Sequence, residues 1–308
     1  MRYSVHNLGV ELSCQIPALL HALGSALGDF SVGSLVGKTS PIHGALNPFD
    51  HDLVRMHLSP TATRVNTGEG NLMELYEEDE RFWLIDDHWG LCEINVLRGQ
   101  FRSWILPEPA CDAQTIVEQA VMWPIAQLLR PRGLCLIPAA SVVRDGWGVL
   151  MLSSFNIEPE LTTLVRAGFR VIGQNWTALR EQGGHIDMLA MPGGVIRAND
   201  RIDLTREMLG SAIDQAYCSV AMIMSPGRRP LPHLRAIAPT NSIGALRRGW
   251  PIVELHPLRR PGQMPARLAN RARIFDVQLS RNPKDILSLL EAARYHRPQS
   301  PARPVVAA

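Results

Sequence analysis

Apolar positions in the first third of the chain recur mostly at every second residue. Over residues 81–106, RFWLIDDHWGLCEINVLRGQFRSWIL, the segments FWLI, LCEINVL and FRSWIL alternate or run apolar, with DDHWG and RGQ between them. That pattern predicts a three-stranded antiparallel meander. From residue 112 the period lengthens. In DAQTIVEQAVMWPIAQLLR the apolar residues Ile116, Val117, Ala120, Val121, Ile125, Leu128 and Leu129 recur at near-helical spacing, with Asp112 placed as an N-cap. Pro124 falls inside and predicts a kink or a break. LCLIPAASVV then reads as a strand, DGWG as a turn, and GVLML as a continuously apolar strand. A short turn, SSFN, leads into PELTTLVRAG, helical from about residue 158 to 167, and then into FRVIG.

Further on, HIDMLAMPG, YCSVAMIMS and ARIFDVQLS read as strands, and LTREMLGSAIDQA and NPKDILSLLEAARYH as helices. Asn282 precedes Pro283, which suits the first helical position. The runs 149–152, 169–172 and 219–224 are expected as buried central strands, because strands apolar throughout are covered on both faces. GRRPLPHLR and LHPLRRPGQMPARLANRAR read as loops by their proline and glycine. The pattern as a whole gives an α/β fold with a mixed central sheet, preceded by a smaller β-rich region. The boundaries are a β-rich region over 1–111, an α/β domain over 112–296, and a proline-rich, disordered tail over 297–308.

Composition narrows the function classes. The chain has 308 residues, 46% of them hydrophobic, and a formal net charge of only +2. Charge therefore gives no footing for nucleic acid as a partner. Five cysteines, Cys14, Cys92, Cys111, Cys135 and Cys218, form no C-x-x-C pair, so neither a disulfide framework nor a zinc knuckle is expected. The first residues carry no charged-then-apolar signal pattern, and no run of ~18 apolar residues occurs. The expectation is a soluble, cytoplasmic protein without a membrane partner. His43, His51, His57 and His88 have spacings that fit no usual metal-ligand pattern. Ser141, with His185 or Asp145, lacks the G-x-S-x-G frame of a nucleophile elbow.

The order of elements over residues 129–295 resembles the HPr kinase family, and more narrowly the HPr-kinase-related proteins of peptide-modification gene clusters. LIPAASVVRDGWGVLML, the turn and helix, LVRAGFRVIGQNWTAL and HIDMLAMPGGVI carry the resemblance, over some two thirds of the chain. It implies a P-loop-derived domain with three chemical places. The family histidine, in a pattern like L-H-A-S-A-V, falls on Pro138, which can neither titrate nor donate. In the G-x-x-x-x-G-K-S/T loop the lysine falls on Ile157 and the hydroxyl on Glu158, and the loop shortens to SSFN. Glu158 and Glu160 suit a helix N-terminus but repel a triphosphate, and Pro159 removes an N–H. The paired aspartates fall on Gln174 and Asn175, neutral amides that cannot act as a base and ligate magnesium poorly.

The resemblance with all three places altered implies a degenerate P-loop and a pseudokinase that needs no cofactor. The alternatives are an enzyme that reuses the remodelled cleft and an oligomeric structural subunit. The expected partner is another protein or a peptide, with a homo-oligomer as a further form. The partner-binding candidates are the arginine pairs Arg228–Arg229, Arg247–Arg248 and Arg259–Arg260, with Trp89 and Trp104 of the meander. Paired arginines recognise carboxylates, and arginine and tryptophan are enriched at interface hot spots. The tryptophans have core packing as their competing reading.

Overall fold

A computed structural model describes residues 1–28, 31–34, 40–50, 62–65, 74–78, 80–153, 155–190, 215–249 and 263–296. The first sheet holds β1 (Arg2–Val5), β2 (Leu8–Cys14), β3 (Ile42–Pro48), β4 (Thr63–Val65), β5 (Glu74–Glu78), β6 (Arg81–Asp86), β7 (Gly90–Asn95) and β8 (Gln100–Ile105), with helix α1 (Leu20–Leu27) between β2 and β3. Its spatial order is β1-β2-β3-β8-β7-β6-β5-β4. β6, β7 and β8 pair antiparallel in sequence order, and β3 runs parallel to both β2 and β8. The two-residue period sets the faces. Phe82, Leu84, Cys92, Ile94 and Phe101 point into the main core, whereas Trp83, Leu91 and Trp104 form a small cluster on the other face.

The near-helical stretch after β8 is a helix in three pieces: α2 (Ala113–Val117), a π-helical turn over Glu118–Met122, and α3 (Trp123–Leu129). Asp112 caps α2 by accepting from the Thr115 N–H at 2.8 Å. Pro124 explains the break, since it offers no N–H to the carbonyl of Ala120 four residues earlier. That carbonyl accepts instead from the fully buried Ser103 hydroxyl of β8, at 2.7 Å. A buried carbonyl left without a donor would cost about 1–3 kcal/mol, so the hydroxyl makes the proline tolerable. Every residue of α3 is buried. A helix buried on all sides belongs between layers, and α3 packs on β9 (Cys135–Pro138) of the second sheet. One core joins residues of both sheets across the expected boundary at 111/112.

The second sheet continues with β10 (Ala140–Arg144), β11 (Trp147–Leu152), β12 (Arg170–Gly173), β13 (Trp176–Gln182), β14 (His185–Leu189), β15 (Gln215–Arg229), β16 (His233–Ala236) and β17 (Arg273–Ser280). The helices are α4 (Glu158–Arg166), α5 (Pro239–Gly249), α6 (Gln263–Arg271) and α7 (Asp285–Tyr295). The path is β12-β10-β11-β15-β14-β13-β9, with β17 pairing β15 and β16. Asp145 and Gly146, both at positive φ, turn β10 into β11. β11 is central, antiparallel to β10 and parallel to β15, as its apolar run requires. α4 and α7 cover one face, where Leu161, Leu164, Ile286 and Leu290 meet Val149 and Met151.

Three expectations need correction. The run 169–172 buries Phe169, Val171 and Ile172, with Arg170 exposed, but supplies an edge strand, β12, because the hairpin partner β10 occupies the place beside β11. The stretch GRRPLPHLR is not a loop: β15 runs on through Arg229 across a bulge, and β16 follows. Arg247–Arg248 and the ARLANR segment likewise lie on helices α5 and α6. Pro226 and Gly227 sit within that bulge, between Ser225 opposite Gln278 and Arg229 opposite Ser280, a place where missing donors and positive φ are tolerated. The helix expected over 204–216 lies almost wholly outside the described residues, as does the tail.

Candidate functional site

β11, β15 and β17 run parallel, and β12, antiparallel to β10, points the same way as β11. Their carboxyl ends therefore share one end of the sheet, where open α/β sheets place ligands. The first residues of β10 and the last of β9 arrive at the same end. The five positions that the resemblance singles out lie at or next to this end. Pro138 ends β9 opposite Trp176. Gln174 and Asn175 form the turn between β12 and β13, and Gln174 is buried. Ile157 and Glu158 join the turn after β11 to α4.

That turn is closed on itself. The Ser153 hydroxyl donates to the Phe155 carbonyl at 2.8 Å and accepts from the Phe155 N–H at 3.2 Å. The Asn156 side chain accepts from the Glu158 N–H at 2.8 Å. Pro159, next in the helix, has no N–H. Ile157, where the resemblance implies the lysine, is a buried anchor in the core under α4. Two amides of this stretch, those of Phe155 and Glu158, are thus engaged by the turn's own side chains, and Pro159 supplies none to an anion.

Of the two carboxylates in the first turn of this helix, Glu158 and Glu160, the second is buried and paired within the chain. Glu160, in the first turn of α4, is 1% exposed, and its Oε1 accepts from Arg228 Nη1 at 2.6 Å. The same nitrogen donates to the Ser280 carbonyl at 2.9 Å, so Arg228 ties α4 to the end of β17. Arg228 thus has an intramolecular task, contrary to the expectation for the arginine pairs. The bulge in β15 brings it there.

A cavity of about 770 Å³ opens beside the turn, between the end of β11, the later half of β15, β16, the middle of β17 and the start of α5. Asp276 of β17 is its acidic centre. Asp276 accepts from the Ser225 hydroxyl at 2.8 Å and pairs with Arg235 Nη2 at 2.7 Å. Thr240 and Asn241 of α5 and the apolar Ile223, Met224 and Ile237 complete the polar and greasy walls. None of those five positions lines it. Sequence reasoning missed Ser225, Arg235 and Asp276. The signal was the aspartate in the middle of the apolar strand RIFDVQLS.

The other candidates disperse. Trp89 is 0% and Trp104 5% exposed, and Trp104 stacks on Trp83 with centroids 6.4 Å apart. Both tryptophans pack inside this chain, as their competing reading has it. Arg229 is exposed at the end of β15. Arg247 and Arg248 belong to α5. Arg259 and Arg260 lie outside the described residues, as do His51 and His57. His43 faces Glu11 at 3.3 Å and His88 faces Asp86 at 3.1 Å, on separate strands and turns. Ser141 is fully buried and bonded to Thr177 at 2.8 Å, which removes it as a nucleophile. Among the described residues no group of three or more metal-ligating side chains assembles, and no helix is long and apolar enough to cross a membrane.

No protein-family model matches the chain, and no curated protein matches it. Among solved structures, the chain is similar to the HPr(Ser) kinase/phosphatase from Coxiella burnetii, at 14% identity and a TM-score of 0.32, over 52% of this chain and 95% of that one. The likeness is distant and concerns the fold alone.

Proposed function

We propose that this chain is a catalytically silent HPr-kinase-like protein that acts by binding another protein or a peptide. The observation that carries the silent half is the turn after β11. Its Glu158 N–H is taken by Asn156, Pro159 has none, and the carboxylate of Glu160 lies buried in the first turn of the helix. A triphosphate placed there would find few free donors and a resident negative charge. The neutral pair Gln174 and Asn175 adds no base and no strong magnesium ligand.

Incubation with ATP and magnesium is expected to give no ATP consumption above buffer and no phosphate on the chain or on added peptides. Turnover that Ile157→Ala or Gln174→Ala abolishes would reverse the reading.

The contact surface we infer is basic and lies around Arg229 and the last turn of α5. Arg247→Glu together with Arg248→Glu is expected to weaken binding of an acidic partner by about 1–3 kcal/mol, with melting nearly unchanged. Equal affinity in a direct binding titration would remove these arginines from the interface.

A second reading is favoured by the cavity holding Ser225, Arg235 and Asp276. In it the cleft binds a small ligand other than a nucleotide, and the contact function is secondary. An oligomeric subunit remains the third form, which light scattering on the purified chain separates from the other two.

A further inference from the structure

We propose that the concavity between β14, β15 and α6 is a second ligand site, for a small organic molecule bearing an oxyanion, either a carboxylate or a phosphate ester. It stands apart from the turn after β11 and does not depend on the state of that turn. Its lining includes the first residues of β11 and β17, so it lies at the opposite end of the sheet.

The volume, about 670 Å³, suits a ligand of a few tens of atoms or fewer. The lining carries no carboxylate, but it does carry Arg271, Arg273, His185 and the hydroxyls of Ser219 and Tyr217. Arg273 is held in place by donating Nη1 to the carbonyls of Arg294 and His296, at 3.1 and 2.9 Å. Arg271 ends α6, is exposed, and makes no ion pair among the described residues. Guanidinium and hydroxyl donors without a competing carboxylate select an oxyanion.

His185 gives the site its built character. Its Nε2 lies 3.3 Å from Oδ1 of Asp187, a residue with no exposed side-chain surface, two positions along the same strand face. Its ring meets the Tyr217 ring edge-on with centroids 4.2 Å apart. The buried carboxylate within ion-pair distance and the aromatic edge confine the imidazole, whose two ring nitrogens are its hydrogen-bonding atoms. Tyr217, half exposed on the rim, offers a face to a planar ligand body.

The test uses the full chain with labelled histidine ring nitrogens, titrated with benzoate and with phenyl phosphate at fixed ionic strength. His185 is assigned by the signal lost in His185→Gln. A saturable shift of the His185 resonance is expected, half complete at about 1 mM or below, with one probe or both. The probe that saturates at the lower concentration assigns the carboxylate or the phosphate ester. Arg271→Gln is expected to raise the half-point about tenfold. Arg166→Gln, at the exposed end of α4, should leave it unchanged. A response that stays linear to about 20 mM with both probes overturns the site, as does equal weakening by Arg166→Gln and Arg271→Gln.

Discussion

Replacing Arg228 with methionine is expected to destabilise the fold by about 3–5 kcal/mol, read as a shift in the midpoint of urea unfolding at unchanged slope. Arg228 itself is 29% exposed, but its partner Glu160 is 1% exposed. Removing the arginine strands a carboxylate in the core under α4, beside Leu161 and Ile157. It also removes the donor to the Ser280 carbonyl. Removing both charges is different: Arg228→Met with Glu160→Met should return stability to within about 1 kcal/mol of the parent, because a buried ion pair contributes little net over apolar residues of similar volume. A single substitution costing under about 1 kcal/mol would show that the pair holds nothing. That outcome would also weaken the view of Glu160 as the resident charge of the helix start.

Gly148→Val is expected to cost about 4 kcal/mol or more, enough to deplete the folded chain in cells. Gly148 lies where β11 meets β15, at a shift of register between the two central strands. A Cβ added there would stand 2.2 Å from the Tyr217 carbonyl oxygen and 2.5 Å from the Met188 methyl. The methionine can yield; the backbone carbonyl cannot without opening the pairing of β11 and β15. Gly133→Ala is the matched comparison. Its φ is +82°, but a Cβ there meets nothing within 4 Å. Only the left-handed backbone is penalised, at about 1–2 kcal/mol. If circular dichroism melts show Gly148→Val no worse than Gly133→Ala, the close approach of the two central strands is wrong.

Elements whose signal is local were legible in the sequence. The run GVLML gives β11 because continuous apolarity needs cover on both faces. The Asp145–Gly146 turn follows from two residues that tolerate positive φ, and Pro124 announces the break in its helix. What partner relieves that break was not legible, because Ser103 lies on strand β8, 17 residues from Ala120. The edge position of β12 was hidden for the same reason: the order of strands depends on where β10 inserts. Arg228 was misread because Pro226 and Gly227 suggest a loop, whereas a bulge lets the strand continue and aims the arginine at Glu160. The candidate site was legible only in part. Pro138, Ile157, Glu158, Gln174 and Asn175, at the positions the resemblance singles out, stand in the sequence. The engagement of the turn's amides by Asn156 and Ser153, and the cavity around Asp276, depend on three-dimensional neighbours.

The central claim is that the turn after β11 no longer holds phosphate. Calorimetric titration of the full chain with ATP and magnesium tests it most directly. The account predicts no saturable heat up to millimolar nucleotide, and none in Ile157→Lys, since one restored lysine leaves the amides engaged and the turn short. A dissociation constant below about 100 μM for the unaltered chain would contradict it.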